Sequence, residues 1–332
     1  MRTSSQSEPV GRPLQTALLK KHPLSPMTIY ILRRIFSSLV LSLALVIVVF
    51  ILLRMSIPGD PALAFAGETY SPELVERIRH ELGMDKPLLV QLGLFLWDML
   101  HGDLGFTTLR QPVTARLLEA LPVTFTLALT TFVYSLSLGL PLGVAAAYWR
   151  NRWIDNLIRL LSVFSISMPT FWIGLMLMWW VSVEWGWLPV QSDGTWRSFI
   201  LPTLTLGTGA AAGMGRLARA WILEILSSAH VRTARAKGLS EFWVVIRHAL
   251  RNALIPVVTV AGFQIGGLLG GAVITEGIFG LSGLGTLAIN AIRHRDYPLI
   301  QGTVIFACIV YLLVNLVVDV IYPIIDPRVR LS

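Results

Sequence analysis

Long runs of apolar residues, separated by short polar stretches, dominate this chain. A helix that spans the hydrocarbon core of a membrane needs about 20 mostly apolar residues. Six stretches reach that length, namely residues 35–53, 124–149, 157–183, 200–223, 254–275 and 302–322. The fourth is the least apolar, because it is rich in glycine and carries two arginines near its end. The pattern predicts an all-α integral membrane protein with six transmembrane helices.

The distribution of basic residues predicts how these helices are oriented. The chain has 27 Lys and Arg against 19 Asp and Glu, and 18 of the basic residues lie on the side that holds both termini. Cytoplasmic loops of membrane proteins carry the excess of Lys and Arg. Both termini are therefore predicted to be cytoplasmic, and the net charge of +8 needs no nucleic-acid partner to explain it.

The composition excludes several classes of protein. Hydrophobic residues make up 54% of the chain and charged residues only 14%, against about 25% charged in a typical soluble domain. The single cysteine excludes a disulfide framework. The sequence contains no nucleotide-binding loop, no metal-ligand spacing and no nucleophile–base arrangement. We therefore expect no catalytic residues, no metal and no cofactor in this chain.

The chain divides into a short tail and one membrane domain. Residues 1–26 are rich in Ser, Gln, Pro and Lys and are predicted to be a disordered cytoplasmic tail, with Met27 as an alternative start. Residues 27–332 form the membrane domain. Its first apolar run has 19 residues, longer than the core of about 7–15 in a signal peptide. A retained membrane anchor is therefore favoured over a cleaved signal.

Two polar segments interrupt the membrane domain. The extracytoplasmic insert at 54–121 has helix signals at 71–83 and 87–101 and a turn at 102–105, and it is too small and polar to be a catalytic domain. The cytoplasmic loop at 224–253 is predicted to hold two short helices that meet at Gly238, with Ser240 capping the second. This pattern alone leaves open whether the loop lies on lipid or binds a protein.

The cytoplasmic loop reads Arg-Thr-Ala-Arg-Ala-Lys-Gly-Leu at 232–239 and His-Ala-Leu-Arg-Asn-Ala-Leu-Ile-Pro at 248–256. This motif resembles the coupling loop of ABC-importer permeases of the dipeptide, oligopeptide and nickel branch. Arg232 and Thr233 replace the Glu-Ala of many permeases, and Arg251 replaces a frequent Pro, as is typical of that branch. Further matching motifs include Pro-Gly-Asp-Pro at 58–61, Ser-Met-Pro-Thr-Phe-Trp-Ile-Gly at 167–174 and Asp-Pro-Arg-Val-Arg at 326–330. The resemblance covers residues 28–330.

The resemblance implies a type I ABC-importer permease fold in the bacterial inner membrane. It also implies four kinds of partner: a second homologous permease subunit, two ATP-binding subunits that hold ATP and Mg, an extracytoplasmic solute-binding protein and membrane lipid. The long insert is similar to that of the first of the two permease subunits. Short peptides are the expected substrates, with nickel chelates, glutathione or opines as alternatives within the branch. A stand-alone channel or ion-coupled carrier is the alternative from another class, and would be expected to carry ionisable residues in its spans.

The resemblance also implies roles for individual residues. Ten residues of the cytoplasmic loop are expected to form the ATPase-coupling surface: Arg232, Thr233, Ala234, Arg235, Lys237, Gly238, Leu239, Ser240, Arg247 and Arg251. The segment at 276–298, after the fifth span, is rich in Gly and charged residues and is predicted to be an outer loop. Four of its residues are expected to form an outer gate and receptor-docking surface, the alternative being a solvated loop without such a role: Glu276, Arg293, Arg295 and Asp296.

Helix packing and the translocation path depend on Pro and Gly positions. Met168 and Pro169 mark a predicted kink in the third span, which serves either packing or the path. Gly262, Gly266 and Gly270 recur every four residues, a spacing that lets helices approach closely. This face packs either within the chain or against the partner permease. Four tryptophans near the outer face, Trp179, Trp180, Trp185 and Trp187, are predicted to form an aromatic belt. Asp319 is expected to pair with Arg328 or Arg330.

Overall fold

The computed structural model of this protein describes residues 26–56, 62, 71–81 and 83–325. The predicted tail lies outside these residues except for its last position, as do the motifs at 58–61 and 326–330. The described helices are α1 Pro26–Ser56, α2 Pro72–Glu81, α3 Leu88–Leu100, α4 Val113–Tyr148, α5 Trp153–Ser167, α6 Thr170–Leu177, α7 Ile200–Leu226, α8 Ala229–Ala236, α9 Glu241–Trp243, α10 Arg251–Phe279, α11 Leu284–Arg293 and α12 Tyr297–Ile325. A π-helical segment, Met178–Glu184, extends α6, and another, Val244–Leu250, joins α9 to α10.

Among the described residues, three single helices are long and apolar enough to span a membrane, namely α1, α4 and α12. Three bent helix pairs also pass the same test when each pair is taken as one span, which gives up to six candidates among the described residues. Those pairs are Trp153–Ser167 with Thr170–Glu184, Glu241–Leu254 with Pro256–Leu268, and Ala272–Phe279 with Leu284–Arg293. The predicted spans at 35–53, 124–149 and 302–322 are therefore single helices. The one at 157–183 is broken.

Helix α7 is the predicted fourth span, and it is not among those apolar candidates. Its position explains the composition, because it packs against α4, α5, α6 and α10. Thr205, Gly207 and Ala212 are among its many buried residues. Small and polar side chains are tolerated there because neighbouring helices, not lipid, surround them.

Helices α4 and α7 cross with their backbones in near contact. A Cβ atom at Gly139 would lie 2.5 Å from the carbonyl oxygen of Ala211, and one at Gly143 would lie 2.5 Å from that of Gly215. Residues 139 and 143 are spaced by four and lie on one helical face. The crossing therefore requires glycine at both positions, and the sequence reasoning above missed this pair.

Helices α1 and α12 pack side by side at the edge of the bundle. The Nε atom of Arg34 donates to the Asp319 carboxylate over 2.6 Å. Asp319 was expected to pair with Arg328 or Arg330, which lie outside the described residues. That expectation stays a prediction, and the pair that the structure describes joins the first helix to the last.

The insert after α1 folds as predicted in its helical parts. Helices α2 and α3 match the predicted segments, and Gly102 and Gly105 have φ values of +80° and +84° in the turn that follows. Helix α4 already begins at Val113, so its first turns lie within the predicted insert. Val113 and Leu117 are fully buried against α11 and the start of α12, which holds this extension in place.

Candidate functional site

A sharp corner joins α8 to α9 in the loop between α7 and α10. Gly238 adopts the left-handed conformation, with φ +81°, which glycine enters without the Cβ clash that other residues suffer. The amide of Gly238 donates to the carbonyl of Arg235 over 2.9 Å and closes the end of α8. Extended backbone at Ser240 then starts α9. The predicted corner at Gly238 is confirmed.

An ion pair spans this corner. The Nε and Nη2 atoms of Arg235 donate to the Glu241 carboxylate over 3.0 and 2.6 Å. This hydrogen-bonded partner raises the pKa of Arg235. Arg235 was expected to contact an ATPase. In this structure its guanidinium binds Glu241 and so joins α8 to α9. Ser240 was expected to cap α9, and it occupies the N-cap position without a side-chain capping bond.

The corner presents a mixed basic and apolar face to its surroundings. Arg232, Thr233, Lys237, Leu239 and Ser240 are exposed, and so are Phe242 and Trp243 on α9. Ala234 is the exception among the predicted coupling residues, because it is buried against the rest of the loop. Trp243 was missed by the sequence reasoning, although an exposed tryptophan next to a basic loop is a readable signal for a binding surface.

The corner is attached to the membrane helices through a helical path with one bend. Segment Val244–Leu250 runs directly into α10, with Val245 and Ala249 buried against the ends of α4 and α7. The axis then bends by 49° at the break before Pro256. Arg247 and Arg251 are exposed on this path. The corner is therefore linked to α10 by packed helix rather than by a non-helical loop.

A buried ion pair lies near the same end of the bundle. Asp155, at the start of α5, is fully buried, and both its oxygens accept from Arg219 of α7 over 2.8 and 2.7 Å. The amide of Asn151 adds a third bond over 2.9 Å. The sequence reasoning counted Asp155 and Arg219 only as loop charges. Their pairing fixes the end of α7, from which α8 and the corner follow.

Glu276 lies at the opposite end of α10, and the structure corrects its expected exposure. Its side chain is fully buried. It accepts from the Thr124 hydroxyl over 2.6 Å and from the amides of Gly285 and Thr286 over 2.8 and 3.1 Å. These amides belong to the first turn of α11, where a carboxylate is favourable. Glu276 therefore holds α4, α10 and α11 together and does not form part of a docking surface in this conformation.

Asp296 is also buried, contrary to its expected place on a docking surface. It accepts from the amide and hydroxyl of Thr108 over 2.8 and 3.0 Å and from the amide of Leu299 over 3.2 Å. It thus caps α12 and ties the insert to it. Arg293 and Arg295, from the same predicted set, are exposed. The segment at 276–298 that holds these four residues is largely helical, because α10 continues to Phe279 and α11 follows after a short turn.

The loop between α6 and α7 holds a carboxylate that stays ionised. Asp193 accepts from the hydroxyls of Ser198 and Thr195 over 2.6 and 2.7 Å. These bonds lower the pKa of Asp193 to about 2.

Four tryptophans near this loop have more than half of their surface exposed, namely Trp179, Trp180, Trp185 and Trp187. An aromatic belt at a membrane surface requires such exposure.

The predicted kink at Met168 and Pro169 is a complete break. Met168 ends α5 in extended conformation, Pro169 starts α6, and the two axes differ by 101°. A proline ring clashes with the preceding helical turn and removes one backbone donor. The Ser-Met-Pro segment therefore turns the chain instead of continuing the span.

The glycine stripe on α10 divides between two environments. A Cβ at Gly262 would collide with Val318 of α12, and one at Gly266 would lie 2.8 Å from the Tyr311 ring. At Gly270 no described atom lies within 4 Å of that position. The first two glycines therefore pack within the chain. The third lies on an open face.

Residues 139–331 match the family described as binding-protein-dependent transport system inner membrane component, and residues 27–128 match its N-terminal family. The chain belongs to this family. It is thus the permease subunit of a binding-protein-dependent ABC importer and an inner membrane protein.

Two named relatives cover almost the whole permease. The glutathione transport system permease protein GsiC of Salmonella paratyphi A is 41% identical over 302 residues, which are 91% of this chain and 98% of the relative. A putative peptide transport system permease protein of Brucella abortus is 42% identical over 313 residues, 92% and 99% respectively. The inward-facing MetNI methionine ABC transporter shares the fold, with TM-score 0.51 and 21% identity over 63% of this chain and 96% of that chain.

Proposed function

We propose that this permease forms half of the translocation path for short peptides, glutathione among them. The observation that carries the proposal is the identity of 41% to a glutathione permease and 42% to a putative peptide permease, each over at least 91% of the chain. A solute-binding protein delivers the peptide from outside the membrane. ATP and Mg bind to separate ATP-binding subunits, and this chain catalyses no reaction.

The proposed assembly contains a second, homologous permease subunit and two ATP-binding subunits. The open face of α10 around Gly267 and Gly270 is the proposed contact with the second permease. No described atom lies within 4 Å of a Cβ placed at either glycine, so another helix could approach closely there. Pro169 and Met168, at the break between α5 and α6, are proposed to border the path.

The corner at Gly238 is the proposed contact with an ATP-binding subunit, on the cytoplasmic side. Its support is the exposed basic and apolar face of α8 and α9, fixed by the ion pair of Arg235 with Glu241. ATP-driven closure of the ATP-binding subunits moves the corner, and the helical path into α10 carries that motion to the membrane. Arg293 and Arg295, at the other end, are the proposed contacts with the binding protein.

The coupling role is tested with a pair of variants that impose the same local strain. Gly238 has φ +81° and Gly194, in the loop before α7, has φ +78°, and no described atom lies within 4 Å of a Cβ at either. Valine in this conformation costs at least about 1–2 kcal/mol. In the reconstituted importer, Gly238→Val should abolish the stimulation of ATPase activity by loaded binding protein, while Gly194→Val should preserve it. Equal losses in both variants would contradict the coupling role.

The substrate is tested by uptake into proteoliposomes that contain the complete importer and its binding protein. Labelled dipeptide and glutathione should be taken up in an ATP-dependent manner and should compete with each other. Uptake of a nickel chelate or an opine, with no uptake of either peptide, would refute the substrate proposal while leaving the permease assignment intact.

A further inference from the structure

A cavity of about 340 Å³ lies beside the C-terminal end of α1, where its apolar run stops. It is enclosed by α1, α3, the turn after α3 and the start of α12. Its volume falls in the range of about 300–1,000 Å³ that small-molecule sites occupy. The proposed function does not use this cavity, which lies on the predicted outer side.

Arg54 lines the cavity as a cation without a carboxylate partner among the described residues. Its Nε atom is buried and makes no hydrogen bond to a described residue. The guanidinium lies 5.6 Å from the centre of the Phe50 ring, a cation–π contact that orients it. A half-buried cation at the end of a membrane helix is costly unless an anion meets it. Arg54 therefore points to an anionic group in the cavity, and Lys86 on the same wall adds a second positive charge.

The cavity lining also carries hydrogen-bond acceptors and negative charges. The Oε1 atom of Gln91 is buried without a hydrogen-bond donor among the described residues. Its orientation is fixed, because the Nε2 atom donates to the carbonyls of Met84 and Lys86 over 3.2 and 2.8 Å. Asp98 and Asp103 add two carboxylates to the lining. These acceptors suit a ligand that carries a cationic donor close to its anion.

The surroundings indicate a lipid rather than a free solute. Helix α3 has no buried residue, and Leu89, Trp97 and Leu100 are 80%, 63% and 77% exposed. This apolar helix of 13 residues is too short to span a membrane, and its exposed tryptophan is a residue type enriched at the membrane interface. Arg54 at the end of the apolar run of α1 then lies at the depth of the phospholipid headgroups. Phe50 and Leu94 also line the cavity and give it an apolar part beside the charged one.

We propose that this cavity binds the headgroup of a phospholipid with an ammonium group, phosphatidylethanolamine being the probe. Arg54 and Lys86 bind the phosphate, while Asp98, Asp103 and Gln91 accept from the ammonium. The bound lipid fills the gap between α1, α3 and the start of α12. The inference is independent of which solute the importer carries.

The test measures lipid retained by the purified complete importer. The complex is incubated in mixed micelles of phosphatidylethanolamine and phosphatidylglycerol in equal amounts, and bound lipid is counted by native mass spectrometry. Arg54→Gln should retain about tenfold less lipid, the size expected when a charge-assisted hydrogen bond is lost. Arg197→Gln, an exposed arginine outside the cavity, should retain as much as wild type.

A second variant tests selectivity and does not depend on the stability of α1. Asp98 is exposed, and Asp98→Asn should retain lipid but lose the preference for phosphatidylethanolamine. An unchanged preference in Asp98→Asn would refute the proposed ammonium site. Equal retention in Arg54→Gln and Arg197→Gln would refute the phosphate site. Displacement of the lipid by soluble phosphoethanolamine or by a dipeptide would overturn the lipid assignment in favour of a free zwitterion.

Discussion

Removing the carboxylate of Asp155 is expected to open the turn between α4 and α5. Asp155 is fully buried and accepts from Arg219 and from the amide of Asn151. Asn151 has φ +63°, an uncommon conformation for a residue with a Cβ, and its bond to Asp155 holds it there. Asp155→Ala leaves the guanidinium of Arg219, only 20% exposed, without its partner. Breaking a buried pair in this way costs about 3–5 kcal/mol.

This free energy corresponds to roughly two to four orders of magnitude in an opening equilibrium. Hydrogen–deuterium exchange of the purified complex should therefore show a loss of protection of that size at the Asn151 amide and in the last turns of α7. Arg216→Met, an exposed arginine one turn earlier on α7, should leave protection unchanged.

The double variant Asp155→Ala with Arg219→Met separates the ion pair from packing. It should recover part of the lost protection, because no cation then remains buried without a partner. An equal loss in the single and double variants, or full protection in Asp155→Ala, would refute the assigned role of the pair.

Three further predictions concern other contacts. Glu276→Ala removes the acceptor of three buried hydrogen bonds, each worth about 1–3 kcal/mol when left unmade, and should lower the melting temperature of the complex in detergent; an unchanged melt would contradict this. Gly266→Leu should also destabilise the complex, since a side chain there collides with Tyr311. Gly270→Leu, by contrast, should leave the chain folded but weaken its association with the second permease in pull-down assays. Arg235→Ala removes an exposed ion pair worth about 0–1 kcal/mol, so stability should barely change while stimulated ATPase activity falls; a large drop in the melting temperature would show instead that the pair is needed for folding.

Local features of this fold could be predicted from the sequence. The corner at Gly238, the turn at Gly102 and the break at Pro169 were predictable, because a single residue's backbone preference decides each of them. The apolar runs likewise predicted α1, α4 and α12, since length and hydropathy alone qualify a helix to cross a membrane.

Contacts between residues far apart in the chain could not be predicted in the same way. The sequence placed Glu276 and Asp296 in a glycine-rich charged segment and therefore on a surface, yet their partners Thr124 and Thr108 lie more than 150 residues away. The residues next to Glu276 and Asp296 in the sequence give no indication of these partners. The glycines at 139 and 143 differ, because their spacing was readable but went unnoticed beside the longer stripe on α10.

The contact of α4 with α7 also constrains how the transporter can move. Where carbonyl oxygens meet glycine positions with no side chain between them, the two helices cannot slide past each other without collision, since packed interfaces resist continuous deformation. They must travel as one rigid body through each transport cycle. The described chain bends sharply outside this pair, by 101° at Pro169, by 49° before Pro256 and by 78° between Phe279 and Leu284. We therefore expect the motions of alternating access to concentrate at such bends, while α4 and α7 move together.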